Sequence, residues 1–162
     1  AVNLAPAQAD DPDLVATVNA VLDAAGLPPD RLRLGLPVSA LLAERGDADD
    51  NARVLAARGV HLTVHGFGGG YGGLVLLEDL PVRSVWIADR LVAHVAGRPD
   101  SVTARALRSM VPLVHALDAE VVAGGVRSAA AADWWRDAGA DLAWSTDAGP
   151  PEAIIAPPHD DG

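Results

Sequence analysis

The chain has 162 residues, which is enough for one domain with a substantial core but short for a complete (β/α)8 barrel of about 250 residues. Hydrophobic residues make up 50% of the sequence, which excludes disorder, and aromatic residues make up 4%, so an aliphatic core is expected. The formal net charge of −10 argues against binding a nucleic-acid polymer or an anionic membrane.

The chain has no cysteine, which excludes disulfides, thiolate metal sites and cysteine nucleophiles. The apolar runs are too short to span a membrane, and no signal peptide is visible. We therefore expect a cytoplasmic protein without membrane insertion.

Six short apolar runs, bounded by Gly, Pro or Asp, predict strands that are buried in a parallel sheet. In chain order they are Ala1–Leu4, Leu32–Leu36, Leu62–Phe67, Ser84–Ala88, Glu120–Val126 and Leu142–Ser145.

Helical patterns separate these strands. They cover Asp11–Ala25, Val38–Arg58, Leu74–Glu78, Ser101–Leu117 and Ala129–Ala138. Gly26 is placed to end the first helix, Gly46 to break the second, and Pro112 to kink the long fourth one. The first helix carries one apolar face, formed by Leu14, Val15, Val18, Val21 and Leu22.

Alternating strands and helices predict an α/β fold with right-handed crossovers. Both an open doubly wound sheet and a segment of a barrel satisfy this pattern, and periodicity does not choose between them. Residues 1–150 are expected to form the domain. Residues 151–162, which are rich in Pro and Asp, are expected to be a C-terminal surface tail.

Six motifs, taken together, resemble those of EAL domains, the bacterial cyclic di-GMP phosphodiesterases. Val2-Asn3-Leu4 and Gln8 resemble the V-N-L-S-A-x-Q stretch, and the Gly-rich segment from Val64 resembles D-D-F-G-T-G-Y-S-S-L. The segments follow the family's order and spacing across almost the whole chain: Ala1–Gln8, Leu32–Leu41, Val64–Leu74, Leu80–Val92, Val121–Ser128 and Gly139–Ser145.

The resemblance implies a modified TIM barrel, an α/β fold of which this chain holds about six of eight strands. The six strands correspond to the third through eighth, so the first two strands and the E-A-L signature are absent. The chain is then either a piece of a longer polypeptide or an incomplete barrel that a partner completes, because open strand edges would otherwise be exposed.

Metal-assisted hydrolysis of a phosphodiester needs several carboxylates at the mouth of the barrel, where they hold Mg²⁺ or Mn²⁺. In the first three strands, the resemblance implies that Asn3 corresponds to the family's metal-binding Asn. The Glu of the next strand falls on Gly35, and the paired Asp residues fall on His65 and Gly66.

The last three strands depart from the family at every corresponding position. The Lys that orients the attacking water falls on Trp86, and the Glu of the A-E-G motif falls on Gly124. The next Glu falls on Arg127 and the late Gln on Trp144. Two neighbouring dications need negative ligands, and these residues supply none. We therefore predict a pseudoenzyme with no catalytic residues, no bound metal and no cofactor.

Individual residues also allow plainer interpretations. Asn3 is expected to satisfy backbone groups and His65 to be hydrogen-bonded, because His61 lies too far along the strand to share a metal with it. The glycine-rich segment 68–73 is expected to be flexible, since it lacks the G-K-[ST] ending of a phosphate loop. Trp86 and Trp144 are expected to fill the vacated site, with a partner-binding patch as the alternative.

Three functions remain as hypotheses. The first is an inactive EAL-like domain that regulates a protein partner or an adjacent signalling domain and that can form a homodimer. The second is a non-catalytic cyclic di-GMP receptor to which Arg83, Arg90 or Arg127 would lend charge. This binding is not expected, because the family's ligand-contacting Arg after E-A-L is missing. The third is a surviving phosphodiesterase.

Overall fold

The computed structural model describes residues 1–43, 46–68, 77–78 and 80–144. These residues divide into two compact units. The first comprises the described residues up to 66 together with those from 77 to 83, and the second comprises 67–68 and 84–144.

The first unit is built on parallel strands covered by helices. Strand β1 (Val2–Asn3) pairs with β2 (Arg33–Pro37), which pairs in turn with β3 (His61–Phe67). Its described helices are α1 (Pro6–Ala9), α2 (Leu14–Ala25), α3 (Val38–Leu41) and α4 (Ala48–Ala57), with a 3-10 turn at Pro29–Arg31. The fully buried aliphatic side chains of this unit come mainly from β2, β3 and α4.

Helix α2 ends as the sequence predicts, because Gly26 adopts a left-handed conformation with φ of 61°. The expected apolar face is only partly buried. Val18 and Leu22 are buried, whereas Val21 is 61% exposed. Val21 thus shares the apolar face that the sequence predicts but is not covered by other described residues.

Helix α4 is tied to the start of the chain by one buried amide. The Asn51 side chain is 6% exposed, and its Nδ2 donates to the carbonyl oxygens of Ala9 (3.0 Å) and Asp11 (2.9 Å). The Asp47 backbone N–H donates to Oδ1 of Asp10 at 2.6 Å. These contacts fix where the second helical region restarts after the predicted break near Gly46.

The second unit repeats the same layering. Strand β4 (Val82–Ile87) pairs in parallel with β5 (Glu120–Gly124), and β5 pairs in parallel with β6 (Leu142–Trp144). Its described helices are α5 (Asp89–Gly97), α6 (Val102–His115) and α7 (Ala129–Asp137). Serine side chains cap two of them: Ser101 accepts from the Ala104 backbone N–H, and Ser128 accepts from that of Ala131.

One carboxylate joins β5 to the start of β6. Oδ2 of Asp141 accepts from the Val121 backbone N–H at 2.7 Å and lies 2.8 Å from Nε2 of His115, on α6. The Asp141 backbone N–H donates a hydrogen bond to the Val121 carbonyl oxygen at 3.0 Å. The strand register at this point therefore rests on a side chain as well as on the backbone ladder.

Helix α5 was not predicted, although Val92 and Val95 show the i, i+3 spacing of a buried helical face. Helix α6 continues through Pro112 to His115. The glycine-rich segment beyond Gly68, most of Leu74–Glu78 and the tail at 151–162 lie outside the described residues. Within the described part, no helix is long and apolar enough to cross a membrane.

Candidate functional site

The residues singled out in the sequence lie at or near the carboxyl ends of the strands, where parallel α/β folds place their sites. In the first unit, Asn3 ends β1 and is paired in register with Gly35 of β2. His65 and Gly66 lie near the end of β3, and Pro37 of β2 is the register partner of His65.

The Asn3 side chain occupies the space beside Gly35. A Cβ atom added to Gly35 would lie 2.1 Å from Oδ1 of Asn3 and 3.1 Å from its Cγ. A side chain at position 35 therefore requires Asn3 to turn away. Contrary to expectation, the Asn3 side chain forms no hydrogen bond with any other described residue.

The end of β3 offers no carboxylate. His65 is half-buried, and its Nε2 is buried without a hydrogen-bond partner in the described part of the chain, so the expected hydrogen bond is not found there. Gly66 has φ of 81°, a conformation that L side chains rarely adopt. An Asp at position 66 would therefore carry backbone strain.

In the second unit, the structure brings Trp86, Gly124 and Trp144 together. The two indole rings meet edge to face, with centroids 5.6 Å apart and planes at 71°. Gly124 is the register partner of Trp144, and a Cβ atom on it would lie 3.1 Å from Nε1 of Trp144 and 3.6 Å from Cε3 of Trp86. A side chain at position 124 would therefore crowd the Trp144 ring, which would have to shift by a few tenths of an ångström.

The two indoles leave part of the space open. They line a cleft of about 480 Å³ whose other walls come from β5, the loop after it and α5: Asp89, Val92, Ala93, Ala96, Gly124, Gly125, Val126 and Arg127. The expectation that the indoles fill the site is thus met only in part. Asp89 was not predicted at this cleft, because its position depends on the unpredicted helix α5.

The side-chain groups at the predicted site positions determine whether they could hold a metal ion. In the first unit, the predicted positions provide one amide and one imidazole, and in the second they provide two indoles, a glycine and a guanidinium. Dications of the Mg²⁺ class prefer carboxylate oxygens. No group of three or more His, Asp or Glu side chains that could hold a metal is found among the described residues. The residues present therefore do not fit a pair of divalent ions.

A second, apolar groove lies in the first unit. It encloses about 340 Å³ between β1, β2 and α2, and it is lined largely by Val and Leu side chains: Val2, Leu4, Leu14, Val18, Val21, Leu22, Leu27, Leu32 and Leu34. Among the strands of this unit that the structure describes, β1 pairs only with β2, so its other edge carries no strand. Val2, Val21 and Leu27 are each more than half exposed here.

The chain is similar to a known domain family and to longer bacterial proteins. A family model for the EAL domain matches residues 1–144. An uncharacterized signaling protein of Caulobacter vibrioides is 38% identical over 128 residues, which cover 79% of this chain and 16% of that protein. An uncharacterized protein of Azorhizobium caulinodans is 31% identical over 143 residues, which cover 88% and 19%. The chain thus spans less than a fifth of the length of these relatives.

Solved structures agree with the fold. The PaMucR phosphodiesterase in complex with c-di-GMP superposes with a TM-score of 0.83 at 26% identity, and the match covers 97% of this chain but 61% of that chain. The EAL domain of Mycobacterium smegmatis DcpA gives a TM-score of 0.79 at 25% identity and is covered to 67%. These matches confirm the prediction of an incomplete, TIM-barrel-like α/β fold with about six strands.

Proposed function

Since the chain belongs to the EAL domain family, whose members act in cyclic di-GMP signalling, we propose that it is a catalytically inactive member. It acts as a regulatory or protein-interaction module in that signalling. Under this proposal the chain keeps the fold of the family but lacks the residues of its catalytic site. A fold does not by itself confer activity.

The observation that carries this proposal is the placement of the Trp144 indole over Gly124. The resemblance puts a family Glu at position 124. Here the Cβ that such a residue needs would lie 3.1 Å from Nε1 of Trp144. A glycine at position 124 and an indole at position 144 are therefore compatible with each other, because a Cβ at position 124 would crowd the ring.

The first unit supports the same conclusion. The resemblance puts a family Glu at position 35 and a family Asp at position 66. Here the Asn3 amide occupies the space beside Gly35, and Gly66 has φ of 81°. Without these negative charges, the mutual repulsion of two closely spaced dications is not offset. A water molecule would then not be activated to attack a phosphodiester.

Direct assay tests this loss of activity. Purified chain is incubated with Mn²⁺ and cyclic di-GMP, with the PaMucR phosphodiesterase as the active reference. We expect no linear dinucleotide above the protein-free blank. Sustained turnover that scales with the amount of chain would contradict the proposal and would support the phosphodiesterase alternative.

The interaction role is supported by the apolar groove in the first unit. Exposed Val21 and Leu27 line it, and the adjacent strand β1 has an unpaired edge in the described residues. Apolar surface of this kind, next to a strand edge, is typical of a docking site. The proposed occupant is an adjoining domain of the same signalling protein, in keeping with relatives that are more than five times longer than the matched region.

Polar substitution in the groove tests this role. Val21→Asp is expected to leave the isolated chain folded and to weaken docking when the domain is joined to its neighbour, as measured by hydrogen exchange at Val2–Leu4. Val102→Asp is the matched control, because Val102 is 73% exposed and lies outside the groove. Equal exchange in the isolated and joined forms would exclude this surface.

A non-catalytic receptor is the second candidate, and the cleft beside Trp86 and Trp144 favours it. Indole rings stack on nucleobases, and Arg127 in the same cleft carries the charge that phosphate requires. Titration calorimetry with cyclic di-GMP separates the two candidates. The interaction module predicts no saturable heat, whereas saturable binding that Trp86→Ala abolishes would favour the receptor.

A further inference from the structure

A second cleft in the 84–144 unit combines an indole with two arginines. Pro99, Asp100, Arg105, Arg108 and Trp134 enclose about 290 Å³. None of these residues belongs to the positions where the family's site falls, and none lines the cleft at Trp86. We propose that this cleft binds a phosphoryl group, either as free phosphate or as a small phosphomonoester.

Among the residues that the structure describes, the guanidinium groups of Arg105 and Arg108 form no ion pair with a carboxylate. Arg105 and Arg108 are three residues apart on α6, so they are neighbours on the same helix surface. In the described residues, neither has a carboxylate oxygen within 4.0 Å, whereas Arg53 and Arg136 pair with Asp49 and Asp133. The chain has 22 acidic residues for 12 basic ones, and two adjacent arginines that pair with no carboxylate among the described residues supply local positive charge that attracts an anion.

The side chains that line the cleft are held by contacts with the backbone and with one another. The Trp134 indole N–H donates to the Pro99 carbonyl at 3.2 Å, and its ring meets the fully buried Trp135 ring edge to face, with centroids 4.9 Å apart. The Arg108 guanidinium carbon lies 5.1 Å from the centre of the Trp134 ring. A cation held on an aromatic face is bound through the π electrons, so its N–H donors stay available.

The remaining contacts define the class of ligand. Nη1 of Arg105 donates to the Asp100 carbonyl at 3.3 Å, which uses one of its five N–H groups and directs the side chain across the cleft. Two guanidinium charges match the charge of about −1.5 to −2 on a phosphoryl group better than the single charge of a carboxylate. The volume is at the lower end for ligand pockets, which favours a small group over a dinucleotide.

Titration calorimetry of the full chain at constant ionic strength tests the proposal. The probes are inorganic phosphate, O-phosphoserine and, for comparison, acetate. We expect saturable phosphate binding that Arg105→Gln and Arg108→Gln each weaken about tenfold, since each removes a charge-assisted hydrogen bond. Tighter binding of O-phosphoserine would identify a phosphomonoester as the source, and tighter binding of inorganic phosphate would identify the free ion.

Arg53→Gln is the matched control, because Arg53 is an exposed helical arginine with an acidic partner. It is expected to leave phosphate affinity unchanged within about twofold. Three results would overturn the proposal: no saturable heat with either phosphoryl probe, equal weakening by Arg53→Gln, or acetate binding as tight as phosphate. Unfolding curves of the three variants confirm that each one folds.

Discussion

Trp144 lies against Gly124 so closely that its indole nitrogen would be 3.1 Å from a Cβ atom at that glycine. The two residues are register partners on neighbouring parallel strands, so the contact follows directly from the pairing of β5 with β6. The same ring meets Trp86 edge to face. Any side chain at position 124 therefore requires the Trp144 ring to shift slightly, whereas the contact with Trp86 would be an ordinary one.

The first prediction concerns this contact. Gly124→Glu is expected to destabilise the chain by about 1–3 kcal/mol, because inserting atoms into a packed region forces neighbouring side chains out of position. Urea unfolding measures the change. Gly97→Ala is the control, since a Cβ there meets nothing within 4 Å and should change stability by less than about 1 kcal/mol.

A double-mutant cycle sharpens this prediction. Trp144→Gln removes the ring, so the penalty of Gly124→Glu should be smaller in that background if the two positions compete for one space. Equal penalties in both backgrounds would mean that the glycine and the indole are independent.

The second prediction concerns Asn51. Its replacement by Ala leaves the carbonyl groups of Ala9 and Asp11 without their donor, which is expected to lower the free energy of unfolding by about 2–3 kcal/mol. Asn19→Ala, on the half-buried side of α2, should change stability little, because Ala raises helix propensity. Similar losses for both variants would argue that the amide contacts contribute nothing specific.

The third prediction concerns Asp141. Asp141→Ala removes the acceptor of the Val121 N–H and the contact with His115, and a loss of about 1–2 kcal/mol is expected. Asp141→Asn should cost less, since an amide oxygen still accepts from Val121. Thermal unfolding compares both variants with Asp137→Ala, an exposed acidic position on α7. An unchanged midpoint for Asp141→Ala would contradict the assigned role.

The fourth prediction distinguishes the two sides of α2. Val18→Ala removes buried methyl groups and is expected to cost about 1–3 kcal/mol, whereas Val21→Ala should fall within about 0.5 kcal/mol of the original stability. The comparison keeps the chemistry of the substitution constant and changes only the burial. A large loss for Val21→Ala in the isolated chain would show that the groove is closed in solution.

Much of the local structure follows from the sequence because short apolar runs and capping residues act locally. All six strands were predicted, and Gly26 ends α2 as expected. Neighbouring residues of a helix point in different directions, and accordingly Trp135 is 0% exposed whereas the adjacent Trp134 is half-buried.

Other features depended on packing that no local pattern encodes. Helix α5 is short and lies between two stronger signals, so its buried Val92 and Val95 did not separate it from a loop. Val18 and Val21 both belong to the apolar pattern of α2, yet only Val18 is buried. Which of the two is covered depends on where other elements pack against the helix. The cleft lined by Arg105, Arg108 and Trp134 joins residues of α6 and α7, which are far apart in the sequence. No local pattern therefore predicts it.

The sequence by itself determined the fold class, because residue type and spacing along the chain set the alternation of strands and helices. Tertiary structure alone decided that the Trp144 ring lies against Gly124, that the Asn3 amide fills the space beside Gly35, and that Arg108 lies over Trp134. Each of these contacts joins residues brought together by strand register or helix packing. Distances between such residues are fixed only once the chain has folded.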